Sequence, residues 1–400
     1  MNWTDRETER TRRYFLAAGA TGVAGLVAGC GSDTGEETET STESGTDEGT
    51  DPEPTGTASP GSAPSWYGSG PGAFGDRPAP GGTSMDEMPD LSGQLRIYSG
   101  RGESLVGDLV AYLDERYPDF DPRVTYDSTP SLASRVDTEK DNTPADVFYS
   151  VNAGALGFLA ENGYTQSLAS ETTDLVRSEF RDGEGAWTGT SGRARTVPYN
   201  TDRLSESDVP EDIMAFPELT EYEGEIGWAP TYASFQGFVT AMIELEGETA
   251  TREWLRGMQE VVDRAYSDEF AIAQAVADGD LALGFTNHYY IQRVLAGRPD
   301  APLGTAFTAG DAGSVFNVAS AARLEASDRP EQADLFVRHL LSAEAQEYFA
   351  VRTFEYPLVS GVEPVGRLPT IDELSVPDVD LSQLSELDRT VRILREEGVL

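Results

Sequence analysis

A regular alternation of strand-like and helix-like segments between residues 93 and 400 is the feature that most constrains the fold. Strand-like runs with period-two patterning or short apolar blocks lie at 95–99, 123–126, 145–149, 194–199, 226–230, 281–283 and 315–319. Helical spacing follows at 105–113, 132–136, 154–160, 235–245, 250–262, 267–277, 331–341 and 387–397. Because parallel strands are joined through helical crossovers, this order predicts an α/β fold with largely parallel sheets. The region is long enough for two lobes of ordinary size.

The segment before this region has a different composition. From Gly31 to Pro89 there is no Val, Ile or Leu, and Arg77 is the only basic residue. A stretch of this kind does not bury enough apolar surface to offset its ordering entropy. We therefore predict that residues 31–92 form a disordered, acidic tether rich in Gly, Ser, Thr and Pro.

The first thirty residues read as a targeting signal. Arg12 and Arg13 form a twin-arginine motif, which a short run of small and apolar residues follows. That run ends at Cys30, the only cysteine of the chain, in a sequence typical of lipoprotein processing. A single cysteine excludes a disulfide within the chain, so we predict a twin-arginine lipoprotein signal peptide over 1–30 and a lipid on Cys30. The mature protein would be anchored to the outer face of the cell membrane.

The charge of the chain indicates its environment. The formal net charge is −41, from 70 acidic and 29 basic residues, and Lys140 is the only lysine. This balance is typical of proteins from strongly saline habitats, since at molar salt a Debye length of about 3 Å screens repulsion among carboxylates. A surface this acidic repels phosphate, so we expect no nucleic-acid partner.

Two adjacent tyrosines occur where a predicted strand gives way to a predicted helix. Side chains that neighbour each other in a strand point to opposite faces, whereas in the first turn of a helix they diverge by about 100° and can converge on one ligand. Asn287 is a common N-cap residue and favours a helix beginning just before Tyr289 and Tyr290. The alternative is that one tyrosine packs in the core and the other lies on the surface.

Several motifs resemble those of the ferric-iron-binding proteins of ABC importers, a branch of the two-lobed periplasmic binding proteins. They are Ile97-Tyr98-Ser99-Gly100-Arg101, the run 143–150, Ser191-Gly192-Arg193-Ala194-Arg195, Asn287-His288-Tyr289-Tyr290, the run 336–342 and Glu355-Tyr356-Pro357-Leu358. The resemblance implies two α/β lobes around a central ligand cleft, joined by a hinge of crossing strands. Lobe 1 would comprise about residues 93–194 and 318–370, and lobe 2 about 199–316 and 371–400.

In that family the paired tyrosines are the principal iron ligands, which implies this role for Tyr289 and Tyr290. The His and Glu ligands of some family members are replaced here by Gly102 and Val151, which offer no ligating side chain, whereas other members use mostly tyrosines. Further candidate ligands are the phenol of Tyr232 and the carboxylate of Glu103. Fe(III) is a hard cation that prefers anionic oxygen and can deprotonate a phenol.

The resemblance also implies a synergistic anion, for which carbonate and phosphate are the candidates. The expected donors are Thr231 and Ser234 at a predicted helix start, the amide of Asn287, and the guanidinium of Arg101 from the opposite lobe. For each of them, helix capping or surface solvation is the alternative role.

We therefore expect a lipid-anchored, monomeric solute-binding protein that captures Fe(III) and delivers it to an ABC permease driven by a cytoplasmic ATPase. The same fold could instead bind an anion, a polyamine or thiamine. An extracellular enzyme with a tyrosine acid or base is a further alternative, but the sequence contains no nucleophile elbow, P-loop or HExxH motif. The expectation is that the protein is not an enzyme.

Overall fold

The computed structural model describes residues 64–75, 77–381, 384 and 387–400. The predicted signal peptide, Cys30 and the first half of the predicted tether lie outside these residues. No helix in the described ranges is long and apolar enough to cross a membrane.

The first lobe is built on strands that come mostly from the N-terminal half of the globular region. Its strands are β1 (Gly93–Ser99), β2 (Phe120–Tyr126), β3 (Val147–Ser150) and β4 (Thr165–Gln166), with part of β5 (Thr188–Asn200) and of β11 (Phe316–Leu324). Its helices are α1 (Glu103–Arg116), α2 (Thr129–Glu139), α3 (Ala153–Glu161), α4 (Ser170–Thr173), α9 (Pro330–His339) and α10 (Ala343–Tyr348), followed by a π-helix at Phe349–Thr353. Ile97 of β1 lies opposite Val124 of β2 on one side and Val147 of β3 on the other, in parallel register.

The second lobe is also built from strands that are connected by helices. Its strands are β6 (Ile226–Trp228), β7 (Val262–Ala265), β8 (Leu283–Gly284), β9 (Thr286–Asn287) and β10 (Leu303–Ala306), with the rest of β5. Its helices are α5 (Ala233–Leu245), α6 (Gly247–Val261), α7 (Glu269–Asp278), α8 (His288–Gly297) and the C-terminal α11 (Asp388–Glu396). The hydroxyls of Thr240 and Thr390 lie 2.7 Å apart and join α11 to α5.

Strand β5 belongs to both lobes. Its N-terminal half pairs with β11, with Ala194 opposite Phe316, and its C-terminal half pairs with β10, with Val197 opposite Ala306. Along the sheet the strands follow the order β2-β1-β3-β11-β5-β8-β6-β7. The α/β fold and its division into two lobes are therefore confirmed.

The prediction of largely parallel sheets holds only for the outer strands of each lobe. Strands β1, β2 and β3 are parallel, as are β6, β7 and β8, because helices connect them. Strands β5 and β11 are antiparallel to their neighbours, since both carry the chain between the lobes and do not return through a helix on the same sheet.

The prediction of a disordered tether over 31–92 is wrong from residue 64 onward. Trp66 and Met85 are buried, and Trp66 donates its indole N–H to the carbonyl of Glu344 at 3.0 Å. The absence of branched aliphatic residues led to the prediction, but aromatic rings and methionines supply the apolar surface in their place.

This segment, which we call the strap (residues 64–92), contacts α8. Phe74 packs on Phe354 with ring centroids 5.8 Å apart, and Gly72 lies against Ala296 of α8. A Cβ at Gly72 would stand 2.4 Å from the Ala296 carbonyl oxygen, and the positive φ of +57° at this glycine also disfavours a side chain. The strap thus lies between α8 of the second lobe and the π-helix end of the first.

Candidate functional site

The paired tyrosines lie in the first turn of α8, as predicted. Asn287 is the N-cap residue, with an extended backbone at φ −81° and ψ 146°. Its amide does not cap the helix but donates to the Tyr289 hydroxyl at 3.3 Å. Arg195 of the interlobe strand β5 pairs with Asn287, so the start of this helix is fixed directly to the hinge.

A third phenol joins this pair. Tyr232 is the residue before α5, and its hydroxyl oxygen lies 2.5 Å from that of Tyr290. The rings of Tyr289 and Tyr290 are 4.3 Å apart between centroids. Three phenol groups, from the starts of two helices, therefore converge at one point.

The surroundings of Tyr289 and Tyr290 keep these two phenols protonated in the metal-free protein. Burial raises the pKa of Tyr290, and the neighbouring phenols Tyr289 and Tyr232 raise it further. Burial also raises the pKa of Tyr289, although the positive charge of Arg193 opposes this. A cation that binds here must displace phenol protons, which favours a highly charged ion over a monovalent one.

His288 turns away from the phenol cluster into the interior. It is fully buried, its Nδ1 accepts a hydrogen bond from the Ala194 amide at 3.1 Å, and its ring packs on Tyr356. Burial lowers its pKa to about 4. The side chain is therefore a neutral packing group near neutral pH.

A buried carboxylate that the sequence analysis did not single out lies between the helix starts. Glu269 is the first residue of α7 and is fully buried. It accepts hydrogen bonds from the Ser234 hydroxyl at 2.5 Å and from the backbone N–H of Asn287 at 3.0 Å, and it forms an ion pair with Arg195. From the sequence alone, an acidic residue in a first helical turn indicates only complementarity to the helix dipole.

The candidate anion donors are thus only partly available. Ser234 and the backbone of Asn287 lie beside the phenols but are engaged by Glu269. Thr231 is exposed just before α5, within reach of solvent. Of the predicted donors of the second lobe, the Ser234 hydroxyl therefore bonds to a carboxylate of the protein itself, while the Asn287 side-chain amide donates to Tyr289.

The two candidates from the first lobe lie elsewhere. Arg101 is fully buried, and its guanidinium donates to both oxygens of Glu355 at 3.0 and 2.7 Å and to the Ser191 hydroxyl at 3.1 Å. Its bidentate face is therefore already occupied, so the structure disfavours the predicted anion contact. Glu103 is exposed at the start of α1, where its charge adds to burial in raising the pKa of Tyr126.

No group of three or more His, Cys, Asp and Glu side chains in the described part of the chain could hold a metal ion. The convergent oxygen donors of these ranges are instead the phenols of Tyr232, Tyr289 and Tyr290. Such a donor set suits a hard cation that stabilises tyrosinate, and it lacks the Cys, His and carboxylate ligands that hold zinc in proteins.

Two α/β lobes joined by crossing strands, with polar groups gathered at the helix starts, define the class of two-lobed solute-binding proteins. Residues 142–380 match a family model described as bacterial extracellular solute-binding protein. Over 278 residues the chain is 30% identical to the major ferric iron-binding protein of Neisseria meningitidis. The alignment covers 67% of this chain and 82% of that relative.

Solved structures agree with this match. Iron-bound HitA of Pseudomonas aeruginosa aligns with a TM-score of 0.67 and 26% identity, over 76% of this chain and 99% of that chain. A Trichodesmium protein solved with iron and citrate ligands shares the fold, with a TM-score of 0.66 and 24% identity over 76% of this chain and 99% of its own. The chain belongs to the ferric-iron-binding family of periplasmic, two-lobed solute-binding proteins. Its relatives are binding proteins of iron transport, not enzymes.

Proposed function

We propose that this protein captures Fe(III) through Tyr289, Tyr290 and Tyr232 and serves as the solute-binding component of an ABC importer. The observation that carries the proposal is the convergence of three phenols, with the Tyr232 and Tyr290 oxygens 2.5 Å apart. The iron-binding relatives support the choice of ion.

Charge neutrality favours the same ion. Three tyrosinates balance the three positive charges of Fe(III), so the phenols alone can form a neutral complex. A divalent ion with the same ligands would leave uncompensated negative charge in a buried place, which is costly. The site is therefore selective for a trivalent cation by its charge as well as by the hardness of its oxygen donors.

The first lobe completes the site by hinge closure about β5. Glu103 is exposed at the start of α1 and is the first-lobe carboxylate that we propose as a further iron ligand in the closed state, where the positive charge of Arg193, which already acts on Tyr289, would offset the charge that Glu103 adds. Arg101 is not proposed as a ligand or anion contact, because Glu355 occupies its guanidinium. Closure of this type occurs in periplasmic binding proteins through large φ/ψ changes at a few hinge residues.

Export and delivery follow from the N-terminal signals. We propose that the protein leaves the cell by the twin-arginine route, is held by a lipid on Cys30, and passes iron to a membrane permease and its ATPase. A lipid on Cys30 would keep the binding domain at the membrane between capture and delivery.

A ligand panel tests the choice of solute. Unfolding temperature is measured at constant salt with ferric citrate, citrate alone, phosphate, spermidine and thiamine, each far above its expected dissociation constant. A bound ligand at ~100 times its dissociation constant stabilises the protein by about 2.7 kcal/mol, which is readily measured as a rise in Tm.

We expect ferric citrate to be the only ligand of the panel that raises the Tm. The substitution Tyr290→Phe should reduce this rise. The matched control is Tyr98→Phe, because Tyr98 is a buried tyrosine of the first lobe whose hydroxyl contacts Glu139 rather than the site. Stabilisation by thiamine, spermidine or phosphate without iron would favour the same fold with another solute.

A further inference from the structure

Glu269 accepts hydrogen bonds from polar groups that could otherwise hold an external anion. Its carboxylate lies among the Ser234 hydroxyl, the backbone N–H of Asn287 and the Arg195 guanidinium. The Ser234 hydroxyl is one of the donors predicted for a synergistic anion, and the Asn287 contact is made by its backbone N–H rather than by the predicted side-chain amide. A carboxylate with two oxygens, hydrogen-bonded hydroxyl and amide donors and a paired arginine presents the same chemistry as bound carbonate.

We propose that the Glu269 carboxylate stands in the place of an exchangeable anion, so that Fe(III) capture requires no carbonate or phosphate at this position. This inference rests on the proposed function and identifies a residue that determines its anion requirement. Glu269 does not need to touch the metal, because its role is to occupy the donors that would otherwise hold an exchangeable anion.

The same contacts make Glu269 a positioning residue for the phenols. Ser234 lies two residues after Tyr232 in the first turn of α5, and Asn287 precedes the tyrosine pair at the start of α8. By accepting a hydrogen bond from each, the carboxylate links the two helix starts that bring the phenols together.

Arg195 connects this arrangement to the hinge. It lies on β5, pairs with Glu269, and places its guanidinium over the rings of Phe235 and Phe238, with its central carbon 5.7 and 5.0 Å from their centroids. The arginine and glutamate together are neutral, so the pair adds no net charge beside the iron site. Both side chains are buried, and neither exchanges with ions of the medium as a bound anion would.

The test removes the carboxylate and asks whether small anions replace it. Protein is loaded by air oxidation of ferrous chloride in a chloride buffer freed of carbon dioxide, and iron retention against desferrioxamine is followed through the tyrosinate absorption band. Wild type, Glu269→Ala and Glu269→Gln are compared with and without millimolar bicarbonate, formate or phosphate.

The matched control is Glu344→Ala. Glu344 is also a buried carboxylate that accepts from one serine hydroxyl and one backbone amide, those of Ser84 at 2.6 Å and Met85 at 2.9 Å, but it belongs to the first lobe and the strap. A general loss of stability from removing a buried carboxylate would affect this variant in the same way.

We expect wild type and Glu344→Ala to retain iron equally with and without added anions. Glu269→Ala should bind iron about tenfold or more weakly without an anion, since hydrogen bonds to a charged group are lost, and bicarbonate or formate should restore binding by entering the vacated space. Glu269→Gln keeps the volume and should lose affinity with little rescue, which gives a second measurement if the alanine variant does not fold.

Two outcomes overturn the inference alone: a wild-type band that forms only with bicarbonate or phosphate, or a Glu269→Ala variant whose response to anions equals that of Glu344→Ala. Absence of a band in wild type with every anion overturns the proposed iron function and this inference with it. The results therefore distinguish the two failures.

Discussion

Removal of the Arg101 guanidinium separates a structural role of this residue from a role in ligand binding. Arg101→Met keeps the apolar stem and removes the positive charge. Glu355 would then lose its bidentate partner and retain the hydroxyls of Ser191 and Thr353, both at 2.9 Å, with Arg193 4.0 Å away. Burial alone would raise the pKa of Glu355, and in the intact protein Arg101 and Arg193 reverse this and hold it below its usual range.

The expected loss of unfolding free energy in Arg101→Met follows from the burial of this ion pair. The Arg101 and Glu355 side chains are 1% and 7% exposed, so breaking the pair leaves a carboxylate with little solvent to stabilise it. Removing one partner of such a pair costs about 3–5 kcal/mol, whereas replacing both with apolar residues of similar volume is often neutral. We expect Arg101→Met to be destabilised by this amount and the double variant Arg101→Met/Glu355→Leu to recover most of it.

Urea unfolding at constant salt measures the change, and Arg389→Met is the control. Arg389 forms an exposed ion pair with Glu248 at 3.0 Å, which should contribute little. Folded Arg101→Met should still develop the iron band. Unchanged stability together with loss of iron binding would refute the structural role and restore the anion contact predicted from the sequence.

Three further predictions follow from the structure. The free energy of unfolding should fall as the pH drops from 6.5 toward 4, because burial lowers the pKa of His339 to about 4 and the unfolded chain takes up the proton first. His339→Gln should flatten this part of the pH profile measured by urea unfolding. An unchanged profile would contradict the prediction. Trp66→Ala should destabilise the protein by about 3–5 kcal/mol, since the indole is 6% exposed; an unaltered Tm would show that the strap is not part of the fold. Iron loading should release a proton from each of Tyr289 and Tyr290, because burial raises the pKa of both phenols, and Tyr290→Phe should release one proton fewer than the wild type in a pH-stat; equal release by the two proteins would exclude Tyr290 as a ligand.

Local patterns were sufficient to predict most elements of this fold. The helix that begins at His288 was inferred from a strand-to-helix joint and an N-cap asparagine, and both are properties of neighbouring residues. Strands β7 and β10, which are only four residues each, were missed because such short runs carry little periodicity. Residues 64–92 were misjudged because their few aromatic and sulfur-containing side chains stand far apart in a polar sequence.

The phenol pair was also predictable, but its surroundings were not. Glu269 meets Ser234 and Asn287 only after three helix starts come together in the second lobe. Arg101 is paired with a residue more than two hundred and fifty positions away in the chain. Side-chain partners at such separations depend on the tertiary fold, so the sequence indicated which residue types could bind an anion without indicating that a glutamate already holds their donors.

The most direct test of the account is a visible absorption titration of metal-free protein with Fe(III) at high salt. A tyrosinate-to-iron charge-transfer band should grow in the wild type to one equivalent, and should be weaker and shifted in Tyr289→Phe and Tyr290→Phe, while Tyr98→Phe matches the wild type. No band in the wild type, with bicarbonate and phosphate each supplied in turn, or a band that both site variants leave unchanged, would contradict iron capture by these phenols.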